Sequence, residues 1–147
     1  MGDARDELAP RRERRRLRAL VADDDVGMRR LLAAVLELDG WDVQCASDGD
    51  EALALAAEYR PDAVLLDVMM PNADGLTALW RLRESDGGRE CAVVMVSAVD
   101  DRETQRRAID AGCDDYLVKP VSADELSARV LQLVRRIGIA GSLGQGL

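Results

Sequence analysis

The sequence predicts an α/β domain: a doubly wound parallel sheet with helices on both faces. Three observations carry this expectation. Short apolar runs alternate five times with helix-length amphipathic segments, the pattern of repeated βα units. Ala63–Leu66 is continuously apolar and Cys91–Ser97 nearly so, as suits strands covered on both sides. Acids follow two of the runs at once, at Asp23, Asp24 and Asp67. The carboxyl ends of strands are where such sheets bind ligands.

The elements follow in order. Leu17–Ala22 is the first strand, and the first helix runs from about Asp25 to Asp39. Met28, Leu31, Leu32, Val35 and Leu36 repeat there at the three-and-four spacing of one buried face. Asp25 suits the N-cap of that helix better than a ligand position. Trp41–Ala46 alternates as a short strand. Asp48 with Glu51 then opens a helix as a capping box, and Pro61 stops it after Tyr59. Ala63–Leu66 is the third strand, and a short helix spans about Leu76–Arg83. Cys91–Ser97 is the fourth strand, and Arg102–Ala111 a mostly polar helix ended by Gly112. Tyr116–Val118 is the fifth strand. Ser122 with Glu125 begins a last helix whose apolar face is Leu126, Val130, Leu133, Val134 and Ile137. Asp114 and Asp115 are expected to solvate a loop.

The chain has 147 residues, enough for one domain with a full core. No apolar stretch approaches the roughly 18 residues of a membrane span, and there is no signal-like apolar segment at the start, so no membrane association and a cytoplasmic location are expected. Residues 1–18 carry a charge of +3 against −8 for the whole chain, which leaves an acidic body. That balance, with two Trp, two Tyr and no Phe, argues against direct nucleic-acid binding. Residues 1–16 form an Arg-rich arm and 138–147 a Gly-rich tail around a domain at 17–137. The arginines at 11–16 suit a solvated arm or helical lead-in, with docking to an acidic partner or nucleic acid as the alternative. Cys45, Cys91 and Cys113 match no metal spacing and are expected to be reduced, buried packing residues.

The sequence contains no histidine, which excludes Ser-His-Asp and Cys-His catalysis, histidine-zinc sites and a phosphohistidine on this chain. No GxxxxGK[ST] is present, which excludes P-loop chemistry. Three carboxylates converging at neighbouring strand ends repel one another unless a hard cation holds them. The oxygen-only donor set suits a divalent ion of the magnesium kind. A lone strand-end aspartate is usually a cap or turn residue, so the weight rests on the three acids together with Ser97 and Lys119.

The segments LVADDDVGMRRLL, AVLLDVMMPNADGL, VVMVSA and AGCDDYLVKPVS resemble the receiver domains of two-component response regulators. The resemblance runs from about Leu17 to Ile137 and implies a (βα)5 flavodoxin-like fold with strand order 2-1-3-4-5. It assigns Asp67 as phosphoacceptor, Asp23 and Asp24 as the acidic pair, and the backbone carbonyl of Met69 as the remaining metal ligand. Ser97 takes the hydroxyl position, Lys119 the lysine position before Pro120, and Tyr116 the aromatic switch position. Tyr116 as a plain edge-of-core aromatic stays a competing reading. The implied cofactor is Mg²⁺, with Mn²⁺ as an alternative.

Charge supports these roles, because three carboxylates are balanced by a divalent ion plus Lys119. The Lys119–Pro120 bond is a candidate for the cis form. Met69 and Val99 cannot hold a hydrolytic water by hydrogen bonding, so slow self-dephosphorylation is expected. The implied partners are a histidine kinase or histidine phosphotransfer protein and a downstream protein effector. The helix 4–strand 5–helix 5 face is the surface expected to change and to offer a homodimer contact. The chain would catalyse only its own phosphorylation and dephosphorylation. It acts by contact alone, or as the receiver portion of a longer regulator or hybrid kinase. Two alternatives are weaker. A haloacid-dehalogenase-type phosphatase needs a second Asp where Met69 stands, and the complete residue set argues against an unphosphorylated receiver-like scaffold.

Overall fold

Small and branched apolar residues fill five strands in a computed structural model that describes residues 16–136. The strands are β1 Arg18–Ala22, β2 Asp42–Ala46, β3 Ala63–Leu66, β4 Ala92–Ser97 and β5 Asp115–Val118. Between and after them come α1 Val26–Leu38, α2 Gly49–Tyr59, α3 Gly75–Glu84, α4 Arg102–Ala111 and α5 Ala123–Arg136. All pairings are parallel, in the order β2-β1-β3-β4-β5. The predicted elements are all present, with ends moved by no more than one residue. Leu31, expected on the buried face of the first helix, is instead exposed, and Ile137 of the last helix's apolar face lies outside the described residues. Except for Arg16, the Arg-rich arm lies outside the described residues, as does the Gly-rich tail.

Side chains alternate across a strand, and the alternation divides the core in two. Ala19, Val21, Leu65, Val94 and Val96 face α1 and α5, where Leu32, Leu36, Leu126, Val130 and Val134 pack on them. Leu20, Ala22, Val64, Leu66, Val93 and Met95 face the other way, toward Ala52 and Ala56 of α2, Leu79 and Leu82 of α3, and Ala108 of α4. Ala108 is the one buried residue of α4. That helix therefore lies on the sheet with little apolar anchorage.

Helix starts draw on the chain's acidity. Asp25, Asp48, Asp74 and Asp101 are the N-caps of α1 to α4, each accepting from backbone N–H groups of the first turn. The box at Asp48 differs from expectation. Glu51 Oε1 accepts from the N–H of Ser47 at 2.6 Å, so the return bond falls one residue early. At α5 the N–H of Glu125 donates to Ser122 Oγ at 3.0 Å. Before Pro61, α2 ends at Arg60 with φ 52, and α4 ends at Gly112 with φ 111, a left-handed position that glycine adopts without cost. The Lys119–Pro120 peptide is cis.

β1 lies between β2 and β3, so the connection leaving β1 runs to one side of the sheet and the connection leaving β3 to the other. This is the switch point at which a doubly wound sheet opens a crevice. The register Ala22↔Leu66 sets the ends of β1 and β3 level.

Candidate functional site

The residues just beyond β1 and β3 are Asp23, Asp24 and Asp67. Asp67 extends the ladder by donating its N–H to Ala22 O at 3.1 Å, and Asp23 does the same to Ala46 O at 3.1 Å. The two strands thereby hold two carboxylates side by side. One carboxylate oxygen from each of Asp23, Asp24 and Asp67 lies within 4.8 Å of the others. Asp23 is 1% exposed and Asp67 6%, whereas Asp24 is open to solvent.

One cation enters the cluster. Lys119 Nζ donates to Asp23 Oδ2 at 2.8 Å and to Asp67 Oδ2 at 2.9 Å. Its N–H donates to Ser97 O at 2.9 Å, tying the end of β5 to the end of β4. Burial lowers the affinity of the ammonium for its proton. The bonds to Asp23 and Asp67 outweigh that effect and hold its pKa above the usual lysine value. Burial also raises the Asp23 carboxyl, against the pull of Lys119 and of the Asp25 N–H, and Asp67 raises it further. Three acids against one ammonium leave a charge deficit in a partly dry crevice. A hard divalent cation with oxygen ligands fits that deficit, and the solvent-facing side at Asp24 leaves room for its waters.

The loops around the cluster are ordered by short bonds. Asp23 Oδ1 accepts from the Asp25 N–H at 2.9 Å, and Arg29 Nη1 donates to Asp23 O at 2.8 Å. Asp67 Oδ1 accepts from the Met69 N–H at 3.1 Å. A Cβ on Gly75 would stand 2.0 Å from Asp67 O, so only glycine allows the start of α3 to pack on the Asp67 backbone. Ser97 is fully buried at the end of β4, and its Oγ accepts from the Val99 N–H at 3.2 Å. Tyr116 is half-buried and its hydroxyl donates to Val99 O, placing the ring against the β4–α4 connection. Met69 is 64% exposed, at the mouth of the crevice.

Asp23, Asp24, Asp67 and Lys119 therefore meet as the sequence anticipates, with Ser97 on the strand end tied to Lys119. Asp25 caps α1 rather than joining the cluster. Reading the sequence missed Arg29; a cation six residues after the acid, on the next turn of helix, was the available signal.

Two expectations are corrected. Asp114 and Asp115 do not solvate a loop. Asp114 Oδ2 accepts from the Val93 N–H and from Arg83 Nη2, both at 2.8 Å, and Asp115 takes two bonds from Arg129 at 2.8 and 2.7 Å. These partners are distant in sequence, so the local pattern could not show them. Cys91 and Cys113 are buried, but Cys45 is exposed on the edge strand β2, and all three are free.

Such a crevice, at the carboxyl edge of a flavodoxin-like sheet, is where doubly wound α/β domains bind their ligands. The family model for the response regulator receiver domain matches residues 19–131, and the chain belongs to that family. It is 45% identical over 120 residues to response regulator MprA of Mycobacterium sp. (strain KMS), covering 82% of this chain and 51% of MprA. It is 40% identical over 119 residues to the DNA-binding dual master transcriptional regulator RpaA of Synechocystis sp., covering 81% and 49%. The chain thus spans about half the length of the curated relatives it matches. Among solved structures, the receiver domain of sensor histidine kinase PA1611 from Pseudomonas aeruginosa PAO1 superposes with a TM-score of 0.76 at 26% identity, covering 82% of this chain and 99% of that one. That structure is described as having a magnesium ion coordinated in its active site cleft.

Proposed function

We propose that this chain is a phosphorylation-driven switch in which Asp67 accepts a phosphoryl group from a phosphohistidine on a partner kinase or phosphotransfer protein. The observation that carries the reading is the cluster of three carboxylates within 4.8 Å, two of which, Asp23 and Asp67, are bridged by Lys119. An Asp67 oxygen attacks phosphorus, the P–N bond to the donor imidazole breaks, and its electron pair leaves with that imidazole, which is protonated by water. Asp23, Asp24, Asp67 and the Met69 carbonyl would hold Mg²⁺, or Mn²⁺ in its place. Bound there, the ion supplies positive charge and exchangeable water positions for phosphoryl oxygens. Lys119 sits against Asp67 and is placed to neutralise an incoming oxygen. The buried Ser97 hydroxyl is a second partner for the phosphoryl once it turns from the Val99 N–H.

Tyr116 is the element that reports the change, because its hydroxyl bond to Val99 O and the Ser97 bond to Val99 N meet on one residue. Displacing Ser97 disturbs both. The surface of α4, β5 and α5 shifts in population as a result, altering contact with a protein effector or a second copy of the chain. The phosphoryl is long-lived, since neither Met69 nor Val99 offers a side-chain polar atom to a hydrolytic water; a half-life of seconds would contradict this. Relatives of which the match covers about half, one of them named as DNA-binding, favour a role as the receiver part of a larger regulator. A cytoplasmic location belongs to the same reading. Among the described residues, no helix is long and apolar enough to cross a membrane.

The test is incubation with a small phosphodonor such as phosphoramidate, with and without Mg²⁺, read by intact mass. One added phosphoryl that requires the metal is expected, and none on Asp67→Asn. Unchanged labelling of Asp67→Asn would refute the assignment.

A further inference from the structure

The β3–α3 connection carries the Met69 carbonyl and follows Asp67 directly, yet its middle is anchored to a different element. Asn72 Nδ2 donates to Asp48 Oδ2 at 2.9 Å. Asp48 Oδ1 meanwhile accepts from the Glu51 N–H at 2.8 Å as the N-cap of α2. One carboxylate therefore serves two elements, one oxygen to each. Asn72 is held at φ 68, a left-handed position that asparagine tolerates better than most residues. Beside it the backbones touch, since a Cβ on Gly49 would lie 2.0 Å from Ala73 O. Ala73 is buried by this contact, although Asn72 and Asp74 on either side are exposed. At the far end of the connection, the Gly75 N–H donates to Val68 O at 2.9 Å, and Gly75 packs on the Asp67 carbonyl.

We propose that Asp48 and Asn72 form a clasp that fixes the β3–α3 connection to the start of α2, making both positioning residues for Asp67 and the Met69 carbonyl. The inference rests on the switch reading for its metal-binding consequence. The clasp itself is exposed and adds little to overall stability. Its effect is to restrict the connection further, beside the Gly49–Ala73 contact and the buried Met70 that also hold its middle. A ligand carbonyl on an unrestricted connection must be ordered when the cation binds, and that ordering weakens binding.

Two substitutions at Asp48 separate the clasp from the cap and from the charge. Asp48→Ser and Asp48→Asn both remove one negative charge, and both residues are good N-caps. Asparagine alone still reaches Asn72, whose amide can turn to present its oxygen. With Mg²⁺ alone as probe in calorimetric titration, Asp48→Ser should bind roughly threefold to tenfold more weakly than the wild type, and Asp48→Asn within about twofold of it. Amide exchange at Met69 and Gly75 without metal should quicken in Asp48→Ser by a similar factor and stay near the wild-type rate in Asp48→Asn. Equal behaviour of the two variants in exchange overturns the clasp. A wild type that takes up no Mg²⁺ counts against the switch reading instead, while the exchange measurement still decides the clasp.

Discussion

The two ends of the sheet hold the same kind of residue in opposite states. At the carboxyl end, Asp23 and Asp67 share one ammonium, that of Lys119, and Asp24 lies beside them open to solvent. At the amino end the acids are matched. The buried Asp62 accepts from the Arg18 N–H at 2.9 Å. Asp114 takes Arg83 and a backbone N–H, and Asp115 takes the paired bonds of Arg129. Arg83 also donates to the carbonyls of Gly88, Cys91 and Gly112, so it gathers the connections before β4 and β5. Closed charge builds structure there. Charge left open at the other end, where burial makes it costly, marks a place that awaits a ligand.

Lys119→Met should separate the two ends most sharply. It leaves Asp23 and Asp67 without a cation, and the unfolding free energy without metal should fall by about 2–4 kcal/mol. Mg²⁺ should recover part of that loss, because it binds the folded form. Phosphoryl uptake should fall by roughly 10²-fold or more. Urea titrations with and without Mg²⁺, alongside mass-monitored phosphorylation, measure all three; full uptake by this variant would remove Lys119 from the chemistry.

Arg83→Ala is the matching change at the amino end. It strips Asp114 of its cation and several carbonyls of their donor, for an expected loss of about 2–3 kcal/mol. Mg²⁺ should shift its stability as much as it shifts the wild type, and uptake should stay within roughly twofold. A large drop in uptake would show that the ends are coupled rather than independent.

A smaller effect is expected from acid. Burial raises the Asp115 carboxyl, but the bonds from Arg129 and the Tyr116 N–H outweigh it, so its pKa lies below the ordinary 3.8. The stability this adds is fully present above pH 3.8 and is lost as pH falls through the lowered value. Arg129→Gln should therefore lower stability slightly at neutral pH, by less than about 1 kcal/mol because the pair is partly exposed. The difference from wild type should close below about pH 4, so that the acid limb is flatter. An unaltered limb would show that the pair contributes nothing.

The smallest difference is chemical. Burial pushes the Cys91 and Cys113 thiols up to about 11, whereas Cys45 is exposed on β2. A disulfide reagent on the native protein should label Cys45 first and the other two only on unfolding. Rapid labelling of Cys113 would mean that the α4–β5 junction opens more readily than its packing implies.

Much of this architecture was legible along the chain because its signals are local. Alternating apolar runs and helical faces set the order of the elements, and Gly112 and Pro61 marked two ends. The acids at Asp23, Asp24 and Asp67 were readable because a strand end is defined by its neighbours in sequence. The expectation that Asp114 and Asp115 face solvent failed for the converse reason. Their partners lie 31 and 14 residues away, so nothing adjacent announced them.

By itself, then, the sequence determined which residues could sit at a strand end, which faces of the helices are apolar, and that oxygen ligands with one lysine are the available chemistry. Only the tertiary structure decided who meets whom. Lys119 reaches Asp23 across 96 residues and Asp67 across 52, and Asn72 reaches Asp48 across 24. The physical reason is that periodicity and capping are properties of neighbouring residues. A hydrogen bond or ion pair between distant segments depends on strand order and register, which are set only when the whole core packs.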